Sequence, residues 1–350
     1  MANPDTVQFG LDTFGDVQVD AEGAPLTHAQ TLRNIVDEAV LADELGIDFF
    51  GVGEHHRADY AVPAPDVLLA GIATRTRRIR LAPSVVVLGS DDPVRVFERY
   101  STVNALSDGR AELSVGRGSF TESFPLFGYD FTDYEELFDE KLTLLRQLLD
   151  ADRAGAPVTW EGTRRPPIDS LRVFPPTETP MPAWVAIGGT PKSALRAAEQ
   201  GFNLEIAVIT GNPMYYKTFA GLYHKANEQL GHPRGLVSVH SPGLIAETDA
   251  EARARLFEPW KEQQRLVGAD RGWPAPTRGT FNVELGHGSL FAGSPETVAR
   301  KIAATVTNLN LDRFVLKYSN GPSPHEHAMD TIRLYGERVI PMVRDILTTT

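Results

Sequence analysis

The sequence predicts an α/β chain folded as a (β/α)8 barrel, and three observations carry that expectation. Eight short apolar runs, at 7–14, 48–54, 79–88, 110–120, 183–189, 203–209, 236–241 and 313–317, are separated by stretches of helical period. Most of the runs are apolar throughout, the pattern of strands buried on both faces in a parallel sheet. Asp92-Pro93, Thr190-Pro191, Asn212-Pro213 and Ser294-Pro295 each place a capping residue before proline, which is how a helix begins.

Taken in order, the run at 7–14 is a first strand, and Thr27-x-x-Gln30 forms a capping box for a helix that buries Leu32, Ile35, Val36, Ala39 and Val40 and ends at Gly46. Strand two, 48–54, is followed by a helix over 66–74. Strand three, 79–88, leads through Asp92-Pro93 into a helix ending at Leu106, and strand four, 110–120, into an aromatic loop with Phe120, Phe124, Phe127, Tyr129 and Phe131. That loop reads either as an apolar plug over the rim or as a wall for a planar ring. The next helix, 133–150, carries Leu137, Leu144, Leu145 and Leu148 on one stripe.

The prolines of 152–182 break the rhythm and predict an inserted hairpin or extended loop. Strands five and six follow with helices from Thr190-Pro191 and Asn212-Pro213, then strand seven and a helix over 249–267. A second irregular insertion is expected at 268–290. Ser294-Pro295 caps the next helix, strand eight is 313–317, and a last helix spans 325–346. All 350 residues form one barrel domain, with insertions after strands four and seven.

A net charge of −12 argues against nucleic acid or an anionic membrane as the main partner, since either calls for clustered cations. The chain has no cysteine, which removes disulfides, thiolate metal sites and a cysteine nucleophile, so redox work needs a cofactor. With no basic-then-apolar start and no apolar run near the ~20 residues of a membrane span, the cytoplasm is the expected location.

A barrel works where its strands end, which singles out Asp12 to Phe14, Glu54-His55-His56, Ser84 to Val87, Arg117 to Phe120, Gly188 to Thr190, Thr210-Gly211, His240 and Tyr318-Ser319. Glu54-His55-His56 has the donors of a metal site. Neighbours on a strand face opposite ways, however, so one imidazole faces inward, where an acid–base or hydrogen-bonding role is expected. His325-x-His327 reads as a polar helix start near the mouth. Arg117 and Gly188-Gly189-Thr190 read as two halves of a phosphate clamp: a planar guanidinium fork, and a glycine turn opening a helix N-terminus.

Gly53-Glu-His-His56, Ser84-Val-Val-Val-Leu-Gly-Ser-Asp-Asp-Pro-Val-Arg95, Leu106-Ser-Asp-Gly-Arg-Ala-Glu-Leu-Ser-Val-Gly-Arg-Gly118 and Val185-Ala-Ile-Gly-Gly-Thr190 together resemble the bacterial luciferase-like monooxygenases, in order along nearly the whole chain. The resemblance implies a barrel that binds FMN or a deazaflavin. By position it implies that Arg117 and Gly118 meet the flavin phosphate opposite Gly188, Gly189 and Thr190. It also implies that His55 is the catalytic histidine, and that Ser84-Val85 is a non-prolyl cis peptide against the flavin ring. The luciferases themselves have a Glu-Ser pair where this chain has Ile187-Gly188, and a reactive cysteine where it has Gly116, so light emission is not implied.

The expected function is a flavin-dependent oxidoreductase, an FMN-dependent monooxygenase using reduced flavin and dioxygen on a small organic substrate. A deazaflavin-dependent hydride-transfer enzyme, a flavin-binding protein without turnover and a metal-dependent barrel hydrolase are the alternatives. The implied partners are a separate flavin reductase and a second copy of the chain. A dimer is also suggested by the apolar faces of helices 66–74 and 93–106.

Overall fold

The computed structural model describes residues 6–118, 120–269 and 272–349. Eight barrel strands are β1 (Gln8–Thr13), β2 (Phe49–Val52), β3 (Arg80–Pro83), β4 (Leu113–Gly116), β5 (Ala183–Ile187), β6 (Asn203–Ala207), β7 (Val237–Ile245) and β8 (Arg313–Lys317). Each pairs in parallel with its neighbours in sequence, and β1 pairs with β8 through Gln8↔Arg313 to Asp12↔Lys317. The ring closes between β3 and β4. There the Leu81 amide donates to the Arg110 carbonyl at 3.1 Å, the Glu112 amide donates to the Leu81 carbonyl at 2.8 Å, and the continuation Val86–Val87 pairs with Val115–Gly116.

Helices cover the outside, as parallel crossovers require. Most of the expected caps form: Thr27 accepts from the Gln30 amide, Asp92 from Val94 and Arg95, Asn212 from Met214, and Ser294 from Thr297. The Gln30 side chain instead turns to Asn34 and Arg33, and Thr190 heads its helix without a side-chain cap bond. The main apolar core lies between strands and helices and includes Phe9, Leu11, Ile35, Phe50, Leu81, Leu113 and Phe314. Inside the barrel the side chains are different. Glu112 sits at the floor between Arg313, which donates to both of its oxygens at 2.9 and 2.8 Å, and the Trp184 indole at 2.7 Å. Burial opposes ionisation of Glu112, but the Arg313 pair outweighs it and holds the carboxyl below the usual range.

Residues 152–182 contain the expected hairpin, Val158–Trp160 against Ile168–Leu171. The stretch 268–290 is not irregular throughout, because a helix runs over Arg278–Gly286. Thr277 caps it with Thr280 in a reciprocal box, and buried Phe281 packs on Phe257 and Trp260, which outweighs the cost of Gly279 and Gly286. A further short strand, Phe291–Gly293, pairs with Gly243–Ile245 of β7. The last helix is interrupted by a π turn at Tyr335–Val339 between His325–Leu334 and Ile340–Thr349. No helix among the described residues is long and apolar enough to cross a membrane.

Candidate active site

A cavity of about 270 Å³ opens where the strands end, the face on which barrels carry their chemistry. His55, Ser84, Val85, Arg117, Gly118 and Gly188 lie in its wall. Gly189 and Thr190 sit just behind it, Gly189 with its Cα in the left-handed region at φ 128° beside Tyr216, and Thr190 at the start of helix Pro191–Glu199. Of the strand-end candidates, Ser119 lies outside the described residues.

Close strand packing explains two of the glycines. Gly118 has φ 79°, and a Cβ there would lie 2.9 Å from Val87. At Gly51 a Cβ would lie 2.9 Å from Cβ of Asp12 and 3.1 Å from that of Ser84, so this glycine lets two polar side chains meet inside the barrel. The Ser84–Val85 peptide is cis.

Arg117 leaves β4 and crosses to the helices. Its guanidinium donates to Glu135, lies 5.3 Å from the Tyr134 ring centroid, and reaches the Ser193 hydroxyl at 3.4 Å. Ser193 in turn shares a hydrogen bond of 2.7 Å with the Thr190 hydroxyl. Glu135 also accepts from Arg196 at 2.8 Å and faces Lys192 at 3.9 Å. Burial is the largest single influence and opposes its ionisation, but the Arg196 hydrogen bond and the three nearby cations together outweigh it and lower its pKa. The mouth therefore gathers Arg117, Lys192, Arg196 and two hydroxyls near the N-terminus of a helix, a donor set suited to one phosphate.

His55 is 6% exposed and packed between Tyr60, Phe14 and Phe120, with ring centroids 4.3, 5.0 and 5.3 Å away. Burial lowers its pKa to about 3, partly opposed by Asp16 and reinforced by Lys317 and Arg57. It is a neutral imidazole at ordinary pH, able to give or take one hydrogen bond. Of the roles expected for it, hydrogen bonding is the one this buried environment favours. His56, like His55 beyond the end of β2, points away from this cavity into a neighbouring hollow, with Nε2 3.0 Å from Glu54. The other Glu54 oxygen accepts from the Val87 amide at 3.0 Å. Among the described residues no group of three or more His, Cys, Asp or Glu side chains is arranged to hold a metal ion. His325, at the start of the last helix, places its Nδ1 2.9 Å from Glu38 of the first helix.

The aromatic wall comes from Phe14, Tyr134, Tyr216 and Trp273, not from the loop at 120–131. There Phe124 and Phe131 pack on each other and on Tyr134, Phe127 meets the edge of His56, and Phe120 backs His55. Trp273 brings the second insertion into the cavity. Lower down, the Ser84 hydroxyl donates to Asp12 at 2.9 Å and the Ser114 hydroxyl to Glu205 at 2.7 Å, and burial raises the Glu205 pKa.

The sequence model for luciferase-like monooxygenases matches residues 8–313. The chain belongs to that family. Its fold superposes on that of the monooxygenase RslO1 from Streptomyces bottropensis with a TM-score of 0.82, at 25% identity, covering 95% of this chain and 99% of the other. A second solved structure of like fold is the oxygenating constituent of 3,6-diketocamphane monooxygenase from Pseudomonas putida in complex with FMN. It matches with a TM-score of 0.77 at 19% identity, over 96% of this chain and 98% of that one. An F420-dependent glucose-6-phosphate dehydrogenase from Amycolatopsis mediterranei is 28% identical over 166 residues, 45% of this chain and 48% of the relative. The family thus joins flavin-dependent monooxygenases and deazaflavin-dependent dehydrogenases, all oxidoreductases on one barrel.

Proposed function

We propose that this luciferase-like oxidoreductase is an FMN-dependent monooxygenase acting on a small organic substrate, with the whole chain serving as one barrel domain. The observation that carries the reading is the convergence of Arg117, the Ser84–Val85 strand end and His55 on one cavity. The residues fit a flavin mononucleotide. Arg117 with the Ser193 and Thr190 hydroxyls would hold the phosphate, and the amides of Gly188 to Thr190 at the helix start would add to that hold. A Cβ on Gly188 would meet nothing within 4 Å, so this turn leaves room beside the wall.

FMN, when bound and reduced, supplies the electrons and the reaction with dioxygen. The protein's own part is to bind, orient and exclude water. Val85 and Ala186 offer apolar contact to a planar ring, while Tyr134, Tyr216 and Trp273 screen the chamber from solvent. Neutral His55 would fix one hydrogen bond to the reacting group.

A deazaflavin with a carboxylate tail is the second reading, and the dehydrogenase relative supports it. FMN is favoured because the cations at the mouth are largely committed: Arg196 is held by Glu135 and Asp139, Lys192 faces Glu135, and the chain carries −12 overall. Further tail carboxylates would enter an unfavourable field. The diketocamphane neighbour, named as an oxygenating constituent, supports a separate reductase as the source of reduced flavin. Exposed Val67 and Leu106 on the helices before and after β3 support a homodimer.

The test is parallel titration of the purified protein with FMN and with F420, followed by oxidation of aldehydes or ketones with reduced FMN in air. Tight FMN binding with product formation is expected. Binding of F420 alone would transfer the reading to hydride transfer.

A further inference from the structure

Beneath the cavity lies a histidine that neither the phosphate clamp nor His55 accounts for. His240, on β7, is 2% exposed and forms part of the cavity wall. Its Nδ1 is 2.5 Å from Oδ2 of Asp12, which is itself fully buried on β1. The same oxygen accepts from the Ser84 hydroxyl, so Asp12 is anchored from two sides. Phe14 stacks on the imidazole with centroids 5.4 Å apart and planes 13° apart, which fixes the ring's rotation. A carboxylate can only accept, so the proton sits on Nδ1 and Nε2 presents a lone pair. Nε2 is buried, and among the described residues nothing donates to it.

Buried polar atoms are almost always paired, and an unpaired one at the wall of a reaction chamber marks where a ligand belongs. We infer that Asp12 and His240 form an acid–base pair of this cavity, built to receive the O–H of a substrate with an acidic hydroxyl, a phenol or enol. The substrate O–H bond breaks as an N–H bond forms at Nε2. The imidazolium is balanced by Asp12 through Nδ1–H, the oxyanion stays with the ligand, and the proton returns to the product oxygen or to water on release. No electrons move in this step. His240 is the group that touches the ligand; Asp12 is a positioning residue. A purely aliphatic substrate would leave Nε2 buried and unsatisfied.

The inference rests on reading the cavity as an oxidoreductase's reaction chamber, but its test needs no flavin, so the two can fail separately. 4-Nitrophenol, colourless when neutral and yellow when ionised, is titrated into the wild-type chain at a pH about one unit below its own ionisation, with 4-nitroanisole as the control lacking the hydroxyl. Wild type is expected to bind the phenol as the yellow phenolate and at least tenfold more tightly than the ether. His240→Gln should abolish the colour change. Asp12→Asn, whose amide can donate to Nδ1 and so move the proton to Nε2, should do the same while the fold, read by circular dichroism, is kept. Nitrogen NMR of the wild-type imidazole gives a readout independent of any variant: a protonated Nδ1 and bare Nε2 are expected in the free protein, with Nε2 becoming protonated on adding the phenol. Failure of the phenol to bind, binding in the neutral form, an unchanged colour shift in His240→Gln, or a free protein with its proton on Nε2 would each overturn the inference. An absence of FMN binding would leave it standing and fell the functional reading alone.

Discussion

Arg117 is held by Glu135 at the mouth of the cavity, so the cation best placed for a phosphate carries a carboxylate of the same protein. Glu135 joins Arg196 and Lys192 to the same cluster. An incoming phosphate must displace or share Arg117, and Glu135 sets the cost of that exchange. The pair is partly exposed, with side-chain exposures of 25% and 46%. Solvent screening therefore limits its worth to about 1 kcal/mol or less.

Glu135→Gln should accordingly tighten FMN binding by about two- to fivefold, since 1.4 kcal/mol is a factor of ten. Riboflavin, without the phosphate, should bind both proteins alike. Isothermal titration with both ligands measures this. Weaker FMN binding in the variant would mean that Glu135 builds the site by orienting Arg117.

His55 predicts a pH effect on stability. Its folded pKa is lowered to about 3 from the 6.5 of the open chain, so below pH 6.5 the unfolded chain takes up a proton that the folded one refuses. The stability associated with neutral His55 is present above pH 6.5 and lost as the pH falls toward 3, at up to about 1.4 kcal/mol per unit. Urea unfolding at pH 6.5 and 5.0 should show wild type losing about 2 kcal/mol more than His55→Gln. Parallel losses in the two proteins would show that the buried histidine ring titrates normally.

His55→Ala should also lower turnover by about 10²–10³-fold, the usual effect of removing one preorganised hydrogen-bond donor from a reaction site, with FMN affinity nearly unchanged. Rates of aldehyde oxidation with reduced FMN give the first quantity and fluorescence quenching the second. Near-normal turnover would leave His55 as packing against Tyr60 and Phe14.

Val67 is 70% and Leu106 48% exposed, which suits a covered face in a dimer. Light scattering at micromolar concentration should find a species of twice 38.3 kDa, and Val67→Asp should shift it toward the monomer. A 38.3 kDa species alone for the wild type would contradict the dimer.

The barrel was legible in the chain because a parallel strand covered by helices is apolar on its outer face and bounded by caps, as at Asp92-Pro93 and Ser294-Pro295. Helix Arg278–Gly286 was not, because Pro274, Pro276, Gly279 and Gly286 read as loop while the stabilising contact of Phe281 with Trp260 is tertiary. Phe291–Gly293 is three residues long and exists through β7. The place of His55 and Arg117 at the cavity could be read because strand ends are fixed by the fold. Glu135 and Ser193 could not: they reach Arg117 from 18 and 76 residues away, on helices whose rotation no local pattern fixes. The Asp12–His240 pair spans 228 residues, and only strand register brings it together.

Arg117 is proposed to bind the phosphate of a flavin mononucleotide, and titration of wild type, Arg117→Ala and Arg117→Lys with FMN and riboflavin decides whether it does. A charge-assisted hydrogen bond contributes about 1.5–3 kcal/mol, so Arg117→Ala should weaken FMN binding by about 10–150-fold and leave riboflavin nearly unaffected. Arg117→Lys should recover part of the loss, keeping the charge without the planar fork. An equal loss for FMN and riboflavin would rule out a phosphate contact and assign Arg117 to the packing of the barrel mouth.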